Sequence, residues 1–129
     1  MIKNLLDTHT FLWFIDGSDN LSHKALENIE NENAQNFISI VSLWEIAIKL
    51  SLGKLEVNIP FKQIEDVVFK NNFQILPISF TDLLKLSELP FHHRDPFDRL
   101  LIAQCINNEM IFLSKDENVF KYNVSVIWQ

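Results

Sequence analysis

Four carboxylates sit where an α/β chain would bring distant residues together: Asp7, Glu45, Asp98 and Asp116. Asp7 directly follows the short apolar run Ile2 to Leu6, and Asp116 follows Met110 to Leu113 after Ser114 and Lys115. Glu45 falls in the first turn of a helix expected to start at Ser42, behind an apolar run Asn36 to Ile40. Asp98 falls in the first turn of a helix expected to start at Pro96. Strand ends and the helix starts that follow them point to the same edge of a parallel sheet. Singly, each acid reads as a helix cap: Ser42 and Glu45 have capping-box spacing, Asp98 lies three after Asp95, and Asp7 and Asp116 precede helical segments. Jointly they repel one another unless positive charge lies between them. Hard oxygen donors of this kind suit Mg²⁺ or Mn²⁺. Two such ions about 3.5–4 Å apart activate a water and stabilise the leaving oxygen of a phosphodiester.

The elements that must position these acids can be read from apolar periodicity and punctuation. Ile2 to Leu6, Asn36 to Ile40, Phe73 to Ile78, Met110 to Leu113 and Val124 to Ile127 read as short buried strands. Between them run helical patterns. Thr8 to Ile15 is broken by Asp16-Gly17, and a second helix is capped by Ser22. Ser42 to Leu52 is stopped by Gly53, and a further helix is opened by Pro60. A short one starts at Ser79 and Asp82, and the last has Asp95 as N-cap and Pro96 at its first position. Alternation of this kind predicts an α/β chain with a parallel sheet covered on both faces and right-handed crossovers.

With 129 residues, 47% of them hydrophobic and 22% charged, the chain is expected to form one domain over residues 1–129. Its net charge of −6 argues against a simple basic phosphate-tracking binder. The balance permits an enzyme in which bound cations supply the charge that substrate phosphates need. Cys105 is the single cysteine, so no intrachain disulfide forms, and no apolar stretch is long enough to span a bilayer. A cytoplasmic protein with no membrane segment is expected.

The motifs around the four acids resemble those of PIN-domain ribonucleases, in particular toxins of the VapC type from type II toxin–antitoxin systems. Leu5-Leu6-Asp7-Thr8-His9-Thr10-Phe11-Leu12-Trp13 is similar to the family's opening. Ser42-Leu43-Trp44-Glu45-Ile46-Ala47-Ile48-Lys49 with Gly53-Lys54-Leu55 resembles its second motif. His93 to Gln104, with Asp95-Pro96-Phe97-Asp98-Arg99 inside it, resembles the third. Leu113-Ser114-Lys115-Asp116 resembles the fourth, where threonine often replaces Ser114. The resemblance implies a three-layer α/β/α sandwich with a mainly parallel sheet, and Mg²⁺- or Mn²⁺-dependent cleavage of RNA. It also implies neutralisation by a cognate antitoxin, and frequent homodimers. By that carry-over Asp7, Glu45, Asp98 and Asp116 are both the catalytic acids and the metal ligands.

Other side chains have two readings. Asp95 rivals Asp98 as a ligand but is the better N-cap. Thr8, Ser42 and Ser114 would orient carboxylates or bind water, or simply cap helices. Arg99 is the cation chosen to meet RNA phosphate, whereas Lys49 lies i,i+4 from Glu45 and would pair with it. His9, His92 and His93 are acid–base groups without zinc-site spacing, and His92 and His93 read as loop residues near substrate. Most of the aromatics are expected in the core. Phe11, Trp13 and Phe14 lie on a helix where the family often forms its dimer or holds its antitoxin. A catalytically inactive PIN-fold binding module and a structure-specific DNA nuclease are the competing functions. A phosphoaspartyl phosphatase would want aspartate at His9, and a P-loop or dinucleotide fold would want glycines in place of Thr8-His9-Thr10.

Overall fold

Leu5 and Leu6 are adjacent, both fully buried, and packed into different cores. That is possible only for a strand covered on both faces, because successive side chains point to opposite sides. The computed structural model describes residues 1–129 and contains five strands and six helices. The strands are β1 (Ile2–Leu6), β2 (Ala34–Ser39), β3 (Phe73–Leu76), β4 (Ile111–Leu113) and β5 (Ser125–Ile127). The helices are α1 (Thr8–Asp16), α2 (His23–Glu30), α3 (Ile40–Ser51), α4 (Ile64–Lys70), α5 (Phe80–Glu88) and α6 (Pro96–Asn108). All strand pairs are parallel, in the order β3-β2-β1-β4-β5. The three-layer α/β/α architecture and parallel sheet implied by the sequence are therefore present.

The alternation of the sheet side chains sorts the helices. Leu6, Ile38, Leu113 and Ile127 pack with Phe11, Ile29, Ile46, Ile64 and Val68, which come from α1 to α4. Leu5, Phe112 and Val126 pack with Leu101, Ile102 and Cys105 of α6, and with Leu86 of α5. Cys105 is a buried small hydrophobe, as its place on α6 suggests. No helix is long and apolar enough to cross a membrane.

Two buried polar networks tie helices to the sheet. The Asn4 amide donates to Asn36 Oδ1 (2.9 Å) and to the Asn28 carbonyl (3.1 Å), and Asn36 donates to the Ile29 carbonyl. On the other face, Gln104 accepts from Ser39 Oγ (2.6 Å) and donates to Asp82 (3.2 Å) and the Pro77 carbonyl (3.1 Å). Asp82 also completes the expected capping box with Ser79. Burial alone would raise its pKa, but bonds from Ser79, Asn107 and Gln104 outweigh that and hold it low.

Two readings of local sequence are corrected. Helix α3 starts at Ile40, not Ser42, because Ser39 is its N-cap and accepts from the Val41 N–H (3.0 Å). The β-branched run Ile38 to Val41 looks like continuing strand, but the cap ends it. Glu45 consequently lies in the second turn, and its capping-box pairing with Ser42 does not form. The core assignment of the aromatics holds for most but fails for six. Phe61, Phe69, Phe80, Phe91, Phe120 and Trp44 are exposed. On α5 the reason is visible: Leu86 and Asp82 face α6, which leaves Phe80, Leu83 and Leu84 on the outer side.

Replacing Gln104 by leucine keeps the volume but leaves Ser39 and the Pro77 carbonyl without their partner. A loss of about 1–3 kcal/mol is expected, read by urea unfolding, with little change in the secondary structure seen by circular dichroism.

Candidate metal centre

The strand order reverses between β1 and β4, so the crevice above their carboxyl ends is the expected ligand position. Pairing continues to the last residue: the Asp7 N–H donates to the Leu113 carbonyl (3.1 Å), and Thr10 Oγ1 donates to the same oxygen (2.9 Å). Asp7 caps α1 by accepting the Thr10 N–H (2.8 Å). Asp116 caps the 3-10 turn Glu117–Lys121 by accepting the Asn118 N–H (2.9 Å). Capping and a place in the site therefore coexist for these two acids. Each cap bond fixes the carboxylate's direction.

Asp98 is released from capping. Asp95 takes that role, its Oδ1 accepting the N–H groups of Phe97 (2.8 Å) and Asp98 (3.1 Å), with Pro96 at the first helical position. The reciprocal bond that would tie Asp98 back to the Asp95 N–H does not form, because His93 Nδ1 accepts that N–H (3.1 Å). Asp98 thus projects from α6 toward Asp7 and Asp116. These three acids line one open cavity of about 320 Å³ with His9, Trp13 and Lys115.

Glu45 lies behind this cavity rather than on its wall. It is almost fully buried, with both oxygens engaged: Oε1 by the Thr8 hydroxyl (2.6 Å) and Oε2 by Lys49. Thr8 has one hydroxyl proton, so donating it to Glu45 leaves Ser42 as donor to Thr8 Oγ1 (3.0 Å). Thr8 and Ser42 therefore orient Glu45, and the i,i+4 pairing with Lys49 is present. The bond to Glu45 is also the main reason the Lys49 pKa is raised. Ser114 is buried beside Asp7 and accepts the Asp116 N–H (3.2 Å), linking two of the acids.

Arg99 has a different setting. It donates to the Leu89 carbonyl (3.2 Å) and stacks over the Phe91 ring at 4.8 Å, fastening the loop before α6. In its place Lys115 is the cation on the cavity wall, exposed and 6.0 Å from the Trp13 ring. Trp13 packs against His9 (5.9 Å) and Trp128 (5.7 Å).

Sequence reasoning placed His93 in a loop but missed its role in the cluster. Its Nε2 lies 2.6 Å from Asp116 Oδ2 and 3.1 Å from Asp98 Oδ2. Tyr122, also missed, holds the loop by accepting the N–H groups of His92 (2.9 Å) and His93 (3.0 Å). The available signal was local: a histidine two residues before an N-cap aspartate can accept that residue's N–H.

The electrostatics follow from crowding. Burial raises the Asp98 pKa to about 7, with Asp95, Asp7 and Glu45 adding repulsion and His93 opposing it. Burial also raises Asp7, against hydrogen bonds from Ser114 and Thr10. Carboxylates that resist ionisation together are what a dication between them would relieve, and an oxygen-rich donor set fits a hard ion. Asp7, Asp98 and Asp116 are the acids that line the cavity where such an ion could sit, and Glu45 lies behind it.

The family model for the PIN domain matches residues 5–124. A search of the curated proteins finds no match. Among solved structures, the chain is similar to VapBC2 from Rickettsia felis bound to a promoter DNA fragment, with 18% identity and a TM-score of 0.71 over 99% of this chain and 100% of that one. It is also similar to a toxin–antitoxin complex from Klebsiella pneumoniae (17%, TM-score 0.66, 96% and 95% covered). A third likeness is to the PIN domain endonuclease Utp24 (13%, TM-score 0.52, 92% and 74% covered).

A raised folded-state pKa means the protonated acid favours the folded state. Its contribution is complete below the unfolded value near 3.8 and is lost as pH rises through about 7. In EDTA, the melting temperature of the wild-type protein should therefore fall across that window. Asp98→Asn should melt higher than wild type at roughly pH 8 and show a flatter profile. Parallel pH profiles for the two proteins would contradict the crowding.

Proposed function

The chain belongs to the PIN-domain family, and from that premise we propose that it is a divalent-cation-dependent endoribonuclease, the toxin of a VapBC-type toxin–antitoxin pair. The observation that carries this reading is the meeting of Asp7, Asp98 and Asp116 in one open cavity at the β1/β4 switch point. In this reading those three acids hold Mg²⁺ or Mn²⁺, and Glu45 supports them through the Thr8 side and its own charge. When bound there, such an ion would supply a water nucleophile at neutral pH and would offset charge on the phosphodiester oxygens.

The protein's own groups account for binding and orientation. Lys115 is exposed at the cavity wall, where it meets a phosphate next to the one being cut. Trp13 and His9 offer aromatic surface beside it, suited to an unstacked base of single-stranded RNA. Exposed caps and cavity acids would repel a bare phosphate backbone, so substrate binding depends on the cation as well. The likeness to toxin–antitoxin assemblies supports an antitoxin partner, and a homodimer is part of the same proposal. Exposed Trp44, Phe80, Leu83 and Leu84 give apolar surface for such contacts. A cytoplasmic location is part of this proposal, since RNA would be met there.

Purified protein, freed of any partner, should cut RNA with Mg²⁺ or Mn²⁺ and not with EDTA. Asp7→Asn and Asp98→Asn should each lower the rate by about 10² or more, with folding intact by circular dichroism. Intact RNA in both ions would favour a binding module, and equal cutting of single-stranded DNA would widen the substrate class. Lys115→Ala should raise KM for RNA by roughly 3- to 10-fold with kcat little changed, the loss expected for one exposed phosphate contact.

A further inference from the structure

His93, Asp98 and Asp116 place one potential ligand atom each within 4.8 Å of one another, which on distance alone is a three-donor metal group. The hydrogen bonds around the ring argue otherwise. His93 Nδ1 accepts the Asp95 N–H, so its lone pair is in use. A neutral imidazole has a single N–H, which must then lie on Nε2. A nitrogen that carries a proton cannot ligate a cation. If Nε2 did ligate, the proton would sit on Nδ1 and face the Asp95 N–H, donor against donor.

Neither partner can easily turn to avoid that conflict. Asp95 is fixed as the N-cap of a 13-residue helix, with two N–H groups on its side chain and proline after it. The backbone of the loop is held by Tyr122 through both His92 and His93. The ring is therefore aimed with its Nε2–H between two carboxylate oxygens, and the 2.6 Å contact to Asp116 is short, as expected for a bond to a charged acceptor.

We propose that His93 is a positioning residue that clamps Asp98 to Asp116 through its Nε2–H and competes with the cation for those oxygens, rather than serving as a metal ligand. The competition half rests on the cation-dependent reading above; the tautomer half does not. The His93-x-Asp95-Pro96 segment is the device, because the N-cap residue's own N–H lies outside the helix and is free to orient the ring. Cation entry at Asp98 and Asp116 then requires that the hydrogen bonds from Nε2–H to those oxygens be given up while the proton stays on the ring, which sets a threshold on the ion concentration the site responds to.

Two measurements on the full chain test this. Ring nitrogen shifts of ¹⁵N-histidine-labelled protein should show His93 protonated at Nε2 and bare at Nδ1, before and after Mg²⁺ is added. A proton on Nδ1 in either state would overturn the proposal. Titration with Mn²⁺ or Mg²⁺ by calorimetry should give His93→Ala an affinity about 3- to 10-fold tighter than wild type, a tenfold change corresponding to about 1.4 kcal/mol. His93→Gln, whose amide N–H can reach the Nε2 position, should return toward the wild-type value. Unchanged or weaker binding in His93→Ala would also overturn it. Wild-type protein that binds neither ion would defeat the nuclease reading instead, and the ring nitrogens alone would then decide whether the clamp exists.

Discussion

Like-charge repulsion at the carboxyl edge of the sheet is the constraint around which this protein is arranged. β1 and β4 are neighbours, so Asp7 and the Ser114–Asp116 segment leave the sheet side by side. The start of α6 then adds Asp98 and Asp95. No lysine or arginine forms an ion pair with Asp7, Asp95, Asp98 or Asp116. The charge is managed in parts: backbone N–H groups at helix starts for Asp7, Asp95 and Asp116, the Thr8 hydroxyl and Lys49 for Glu45, and an imidazole between Asp98 and Asp116. What remains uncompensated appears as acids that hold their protons too tightly.

Such a site needs a rigid frame, since a carboxylate free to rotate would relax away from its neighbours. The frame is supplied from below by two apolar cores and by buried amides. The Asn4, Asn28 and Asn36 cluster fixes α2 against β1 and β2. Gln104 ties α6 to the end of β2 and to α5, only two turns from Asp98. Satisfied buried amides accept only one relative placement of the elements they join, which apolar contacts alone do not demand. The helix carrying Asp98 is thus registered against the strands carrying the other acids.

The surface tells a different story. Cations near the site are mostly committed elsewhere, Arg99 to a loop carbonyl and a phenylalanine ring, and Lys49 to Glu45. That leaves Lys115 as the cation on the cavity wall of a protein with net charge −6, so under the proposed function bound cations would have to meet phosphate. Meanwhile, large apolar side chains on α5 and at Trp44 stay in water, an arrangement that suits a protein working beside partners.

Much of this was legible in the chain itself. Apolar runs of four to six residues, glycine and proline stops, and cap residues at Ser22, Ser79 and Asp95 located nearly every strand and helix, because those signals act over a few residues. The α/β rule for strand ends then pointed to Asp7, Glu45, Asp98 and Asp116 together, and the structure brings three of them, without Glu45, to one cavity. What only the tertiary structure decided were matters of direction. Whether Ile40 continues a strand or opens a helix depended on the Ser39 cap, and that shift turned Glu45 from a cap partner into a buried neighbour of Thr8. Whether Arg99 faces substrate or its own loop, and which phenylalanines face water, depended on how α5 and α6 pack. The place of His93 depended on contacts with Asp116, distant in sequence and adjacent only once β4 lies beside β1. Local sequence fixes where a side chain starts; the non-local packing of strands and helices fixes what it meets.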